Sequence, residues 1–257
     1  MIRLALLALL LGSLSGCAGT PPAPADRSSE ARTPLQAPAP SGPLVPGDAR
    51  LDLAAVTAPS ERTFTLTVVR GDVRQPFGTL TETVRRLSDG GLVRVQRLQS
   101  PRGAQVDSLT FGADLAPRTH DSRNPGRTVT LRYGPQRARG TYTEAGAAPV
   151  AVDDALAGPA FDSNLIDLVA RAVPFEAGFS ADVRTYERAS AGATATAVTY
   201  TVRVVGREAF SGREAIVVVF GKGDGQDTRL TLDPETRTVL RQESGVGAGV
   251  TVVIVPS

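Results

Sequence analysis

The stretch "TFTLTVV", residues 63–69, places Phe64, Leu66 and Val68 on one side of an extended chain and Thr63, Thr65 and Thr67 on the other. Successive side chains of a strand point to opposite faces, so a spacing of two describes a ribbon with one dry face and one wet face. The alternation returns in "TVTLRY" (128–133), where Val129, Leu131 and Tyr133 interleave with Thr128, Thr130 and Arg132. It returns again in "TAVTYTVRVVG" (196–206), where Val198, Tyr200, Val202 and Val204 interleave with Thr199, Thr201 and Arg203. Half-wet strands of this kind belong to antiparallel sheets. "EAIVVVF" (214–220) is apolar on both faces and reads as a more central strand.

Turn signals separate these runs: "SDGG" after Leu87, "SPRG" after Gln99, "RNPG" after Ser122, "YGPQ" from Tyr133, "GKGDGQD" after Phe220 and "DPETR" after Leu232. Asp, Asn, Pro and Gly supply the bends and positive φ angles that hairpins need. One segment breaks the pattern. In "FDSNLIDLVARAVP" (161–174) Asp162 or Ser163 caps a helix, Leu165, Ile166, Val169 and Val173 share a face, and Pro174 stops it. A lone amphipathic helix among strands must pack on the concave side of a curved sheet or close one of its ends. The expected fold is therefore mainly β: a single curved antiparallel sheet, half-barrel or β-roll-like, of about ten strands with one packed α-helix.

Upstream of the strands the chain changes character twice. Arg3 precedes the apolar run Leu4–Leu11, which is far shorter than the roughly 20 residues a membrane-spanning helix needs, and reads as an export signal. Leu14-Ser15-Gly16-Cys17 then resembles the bacterial lipobox, which implies cleavage before Cys17 and a diacylglycerol on its thiol. Residues 1–16 are accordingly expected to be a lipoprotein signal peptide and Cys17 the lipidation site, with two or more acyl chains making the anchorage stable. Ala18, where inner-membrane retention favours Asp, points to the periplasmic face of the outer membrane. From there to Arg50 the composition is dense in Pro, Ala and Ser, so residues 17–50 are expected to be a disordered tether. Residues 51–257 remain as the β-rich domain, long enough for one sizeable core.

Composition excludes several chemistries. Cys17 is the only cysteine, so the domain has no disulfide, thiol nucleophile or thiolate metal site. The formal net charge of +2 indicates neither nucleic acid nor an acidic partner, and an exported protein makes nucleic acid an unsuitable one. Charge is unevenly spread, with an arginine excess of about seven between Arg85 and Arg139 and a net charge of about −5 from Gly140 onward. Those arginines are expected on the solvated faces of strands, partly paired with acids of the second half.

His120 is the sole histidine, in "PRTHDSRNPG" beside Asp121. Catalysis there would need Ser122 or Ser108 delivered to it, and no Gly-x-Ser-x-Gly elbow is present. The expected role is a surface loop residue. Asp153 and Asp154 are adjacent and so point to opposite faces of any strand; they are expected to mark a loop before the helix. Asp224 and Asp227 in "GKGDGQD" lack the further oxygen ligands of a calcium loop and fit a hairpin loop better. No catalytic, cofactor or metal site is expected.

Three pieces carry a family resemblance: "LTFGADLAPRTHDSRNPGRTVTLRYGPQRARGTYT" (109–143), the helix "FDSNLIDLVARAVPFEAGF" (161–179) and "TRLTLDPETRTVLRQES" (228–244). Together with the lipobox and tether they resemble a family of uncharacterised bacterial envelope domains whose members look like the half-barrels of the lipoprotein carriers LolA and LolB. That resemblance implies a strongly curved sheet wrapped round a helix, able to hold an acyl chain, although this chain has no Trp. No functional residue matches one of the family's. The expected function is a non-enzymatic envelope lipoprotein, held at the membrane through Cys17, that binds a lipid or other apolar ligand. The alternative is an assembly protein that presents its sheet to another envelope protein.

Overall fold

The computed structural model describes residues 42–188, 190–192 and 196–257. The strands are β1 (Ser60–Arg70), β2 (Val73–Arg86), β3 (Leu92–Ser100), β4 (Gly103–Phe111), β5 (Pro117–Asn124), β6 (Arg127–Gly134), β7 (Arg137–Glu144) and β8 (Val150–Ala155). A two-residue β9 (Phe161–Asp162), a 3-10 turn (Ser163–Leu165) and the helix α1 (Ile166–Ala172) follow. The chain then completes β10 (Ser180–Glu187), β11 (Thr196–Phe210), β12 (Arg213–Gly221), β13 (Thr228–Leu232), β14 (Val239–Gly245) and β15 (Val250–Pro256).

The fold is mainly β, and the described residues form one sheet with one short helix, but with fifteen strands rather than about ten. The additional strands are those whose inward faces mix polar or small residues with the few large apolar ones. "PRTHDSRN" turns His120 and Ser122 inward, and "RARGTYTE" turns Ala138, Gly140 and Tyr142 inward. Backbone pairing on both sides holds such segments in the sheet where hydrophobic alternation does not mark them.

Topology dictates the shape. The strands run β8-β7-β6-β5-β4-β3-β2-β1-β15-β14-β13-β12-β11-β10-β9, two meanders joined where β1 pairs with β15, and every pair is antiparallel except β9 with β10. The edges are thus β8 and β9, which are also consecutive in the chain, with only residues 156–160 between them. Six peptide steps span at most about 20 Å, whereas fifteen strands laid flat would hold the edges about 65 Å apart. The sheet must roll. Close backbone approaches at glycine help it bend: a Cβ on Gly78 would lie 2.1 Å from the Gln99 carbonyl oxygen, and one on Gly140, at φ 155°, 1.8 Å from that of Thr130. A bulge between Val204 and Gly206 adds a further kink. The ladder itself remains open between β8 and β9.

Inside the roll sits α1. The Asp162 carboxylate caps the turn that starts it, accepting from the Asn164 N–H at 2.8 Å. Leu165, Ile166, Val169 and Val173 are buried as the spacing predicts, but so are Leu168, Ala170 and Ala172, so the helix is enclosed rather than one-sided. Seven residues are too few to hold a helix unaided, and both of its ends are clamped. At the start, Arg94 donates to the Asn164 carbonyl at 2.7 Å. At the finish, Arg237, at φ 55° in the β13–β14 turn, donates to the carbonyls of Arg171 and Val173 at 2.8 Å each and stacks 4.0 Å from the Phe175 ring.

The fold begins before Leu51. Residues 42–50, expected to belong to the tether on composition, pack against the domain: the Leu44 N–H donates to the Asp182 carbonyl at 2.6 Å, and Leu44 is fully buried. It covers the part of the β10 edge that the short β9 leaves open, since β9 pairs only with Thr185 and Tyr186. Gly47 then bonds to Asp114 and Asp52 to the Ala172 carbonyl, tying the segment to the β4–β5 turn and to the end of α1. Residues 1–41, with Leu14–Cys17 and Ala18, lie outside the described residues. Among the described residues no helix is long and apolar enough to cross a membrane. Leu44→Ala is expected to cost about 2–5 kcal/mol in urea unfolding, whereas Val205→Ala, at an exposed position, should stay within about 0.5 kcal/mol of the parent.

Candidate functional site

Two polar constellations occupy the interior. The first lies at the seam where the sheet edges meet. His120 projects inward from β5, and its Nδ1 lies 2.9 Å from the Asp162 carboxylate. Its Nε2 lies 2.9 Å from the Asn164 amide and 3.6 Å from Asp107. The Tyr133 hydroxyl donates to the same Asp162. On the other side of the seam, Asp154 of β8 accepts from the Tyr186 hydroxyl at 2.7 Å and from Arg188 at 2.6 Å, and the rings of Tyr133 and Tyr186 meet edge-on at 5.6 Å. Val129, Leu131, Ala138, Tyr142 and Val152 pack around them. Side chains thus join edges that the backbone ladder leaves unpaired.

The charges within this seam are mutually dependent. Burial opposes a charged imidazole, but Asp162 and Asp107 outweigh it and push the His120 pKa up to about 9. Burial would raise the carboxyl pKa values of Asp162 and Asp107, yet His120 holds both below the ordinary carboxylate value. Burial followed by Asp162 pushes the Tyr133 hydroxyl well above its usual value. At neutral pH the ring is therefore an imidazolium between carboxylates. A half-turn of the Asn164 amide, which exchanges its nitrogen and oxygen, gives Nε2–H an acceptor.

His120 is accordingly a buried strand residue, not the surface loop residue expected from its neighbours, and Asp121 lies on the opposite face. Ser122 shares its inward face, yet among the described residues no hydrogen bond links Ser122 to His120; Ser108 faces the other way. An imidazolium whose nitrogens face Asp162, Asn164 and Asp107 has no free lone pair to accept a serine proton. Asp153 and Asp154 occupy β8 rather than a loop, and they do point to opposite faces: Asp153 meets Arg137 at 2.7 Å outside the roll. Asp224 accepts from the Gln226 N–H, and Asp227 lies 3.5 Å from Arg203, as parts of the β12–β13 hairpin loop. The described residues contain no group of three or more His, Asp or Glu placed to hold a metal ion.

The second constellation borders a cavity beside α1, with about 970 Å³ of empty space including its open mouth. Phe64, Leu80, Tyr200, Phe220, Val252 and Ile254 form its apolar wall. Its polar end centres on Arg94, which is 4% exposed and donates to Glu82 at 2.7 Å and to Asp167 at 2.8 and 2.5 Å. Gln96 adds a bond to Glu82 at 3.0 Å. Burial disfavours the guanidinium charge, but Asp167 and Glu82 more than compensate and raise the Arg94 pKa. Two further arginines, Arg62 and Arg171, border the same space. Three guanidinium groups against two carboxylates leave one positive charge in excess. Sequence pattern missed these residues because "LVRVQRL" is apolar on both faces, so nothing marks Arg94 and Gln96, rather than Val93 and Val95, as the inward set. The expectation that arginines of the first half lie on solvated faces fails at Arg94 for this reason, although its partner Asp167 is an acid of the second half.

Residues 58–255 match the family described as protein of unknown function DUF3108. The chain belongs to that family. No curated protein matches it. Among solved structures, the DUF3108 domain is similar to a beta-barrel-like protein of domain of unknown function DUF1849 from Brucella abortus, with a TM-score of 0.47 at 11% identity over 77% of this chain and 95% of that one. It is also similar to MucB, at a TM-score of 0.30 and 20% identity over 80% of this chain and 54% of that one. In the Pseudomonas aeruginosa MucA/MucB complex the corresponding values are 0.29, 17%, 80% and 52%.

The seam sets the pH dependence of the DUF3108 domain. A raised His120 pKa means that the folded state holds the proton more tightly than the unfolded chain, so this contribution is complete below about pH 6.5 and is lost as pH rises through about 9. The lowered Asp162 and Asp107 contribute above about pH 4 and lose that contribution on acidification. Urea midpoints should therefore be highest between about pH 4 and 6.5 and decline towards pH 9, and His120→Gln should flatten the alkaline decline.

Proposed function

We propose that this DUF3108 domain is a lipid-tethered, non-enzymatic protein of the bacterial envelope that holds an amphipathic ligand inside its rolled sheet. One observation carries the reading: the interior is only partly filled. Leu165 and Val169 are fully buried and occupy the space around α1, while Phe64, Leu80, Tyr200, Phe220, Val252 and Ile254 wall the cavity beside it. A concave apolar surface with a few convergent polar groups is the usual form of a small-molecule site. The charges at its end suit a ligand with a polar head rather than a plain hydrocarbon. The tether supports the same reading, since the lipobox resemblance at Leu14–Cys17 implies a diacylglycerol on Cys17 and a domain kept within reach of a bilayer.

The two halves of the reading are tested separately. Radiolabelled palmitate fed to cells is expected to label the parent chain and not Cys17→Ser, which should move from the membrane to the soluble fraction; equal labelling of both would remove the anchor. The full chain carrying Cys17→Ser should enhance the fluorescence of 1-N-phenylnaphthylamine, and Ile254→Trp, which fills the cavity, should weaken that binding by about tenfold or more. Absence of enhancement in the parent would favour an assembly role instead.

A further inference from the structure

The cavity holds a buried cation that no carboxylate among the described residues contacts directly. Arg171 on α1 is 5% exposed, and its Nε donates to the Arg237 carbonyl at 2.9 Å. Its two terminal nitrogens have no hydrogen-bond or ion-pair partner among the described residues, and the side chain lines the cavity. The two carboxylates that line the same space are both engaged by Arg94: Glu82 accepts from its Nε, and Asp167 accepts from both of its terminal nitrogens. Arg62 enters from β1, two residues before the wall residue Phe64 and on the same inward face. It is half-buried and likewise has no hydrogen-bond or ion-pair partner among the described residues. Burial disfavours the charge on Arg171; Glu82 and Asp167 attract it from a distance and Arg62 and Arg94 repel it, and burial prevails.

A guanidinium stays protonated even when buried, so Arg171 cannot shed this cost by becoming neutral. A charge removed from water calls for a counterion with hydrogen-bond acceptors, and the planar fork of a guanidinium fits carboxylate or phosphate oxygens best. The apolar wall begins beside these two arginines, so whatever brings the anion also brings hydrocarbon. Building on the amphiphile reading above, we propose that Arg171 and Arg62 form the headgroup site of the cavity and that its ligand is a chain amphiphile with one singly charged anionic head, a fatty carboxylate. The single excess positive charge of the cavity lining matches one negative charge on the ligand.

The test measures displacement of 1-N-phenylnaphthylamine from the full chain carrying Cys17→Ser, at about pH 8 and with each competitor below its micelle concentration. The competitors are sodium decanoate, 1-decanol, decyltrimethylammonium, acetate and inorganic phosphate. Decanoate should bind at least about tenfold more tightly than decanol, decyltrimethylammonium more weakly than either, and acetate and phosphate should not compete at millimolar levels. Arg171→Gln and, independently, the half-exposed Arg62→Gln should each bring decanoate close to decanol while leaving decanol unchanged. Equal binding of decanoate and decanol in the parent, or an anion preference that survives both substitutions, would overturn the headgroup site and leave the amphiphile reading standing. Competition by phosphate or acetate as strong as that by decanoate would assign a free-anion site and overturn the chain amphiphile. Failure of every amphiphile to compete would overturn both.

Discussion

Five residues must carry the chain from one edge of a fifteen-stranded sheet to the other. That constraint forces the roll, and the first structured residues after the crossing, Phe161 and Asp162, are where the roll is secured. Asp162 accepts from His120, from Tyr133 and from the N–H that opens the helical turn. One buried carboxylate therefore couples the position of the arriving edge, the protonation of the seam and the start of α1. Such a cluster is weak evidence for net stability, because desolvating its members is costly. Removing any one member leaves the others buried and unmatched.

Clamping α1 at both ends creates the cavity. Arg94 reaches from β3 to the first turn, and Arg237 reaches from the β13–β14 turn to the last carbonyls. Positive charge at a helix C-terminus and an acid in its first turn, here Asp167, both agree with the helix dipole. With its ends held, the helix fills one part of the interior with Leu165, Leu168 and Val169 and leaves the space towards β1, β2 and β11–β15 unfilled. The same arrangement commits the hydrogen bonds of Glu82 and Asp167 to Arg94, and Arg171 faces the cavity with no direct contact to a carboxylate among the described residues.

The degree to which the fold was legible varied with the side chains. "TFTLTVV", "TVTLRY" and "TAVTYTVRVVG" fall in β1, β6 and β11, and all six turn signals from "SDGG" to "DPETR" lie between consecutive strands. β5, β7 and β8 went unread because their inward faces interrupt Tyr142 and Val152 with His120, Ser122, Ala138, Gly140 and Asp154, so alternation of hydrophobicity carries little signal. The helix was legible to within a turn: of the two caps offered, Asp162 and Ser163, Asp162 caps the 3-10 turn that leads into it, and it ends just before Pro174. Its enclosure on all sides was not, since Leu168 and Ala170 read as the opposite face of a one-sided helix. Of the two interior constellations, His120 was noticed as a lone histidine but given the wrong surroundings, and Arg62, Arg94 and Arg171 were indistinguishable from the arginines of solvated faces.

Alternation of period two, the backbone preferences of Gly, Asn, Asp and Pro, and the residue that caps the turn before α1 act over a few residues, so strand class, turn positions and the helix followed from the amino-acid sequence alone. Which edges meet, which of several arginines turn inward and which carboxylate reaches His120 depend on contacts across 29 to 73 residues of chain. Those contacts exist only once the short 156–160 crossing has rolled the sheet, and no local pattern encodes that closure.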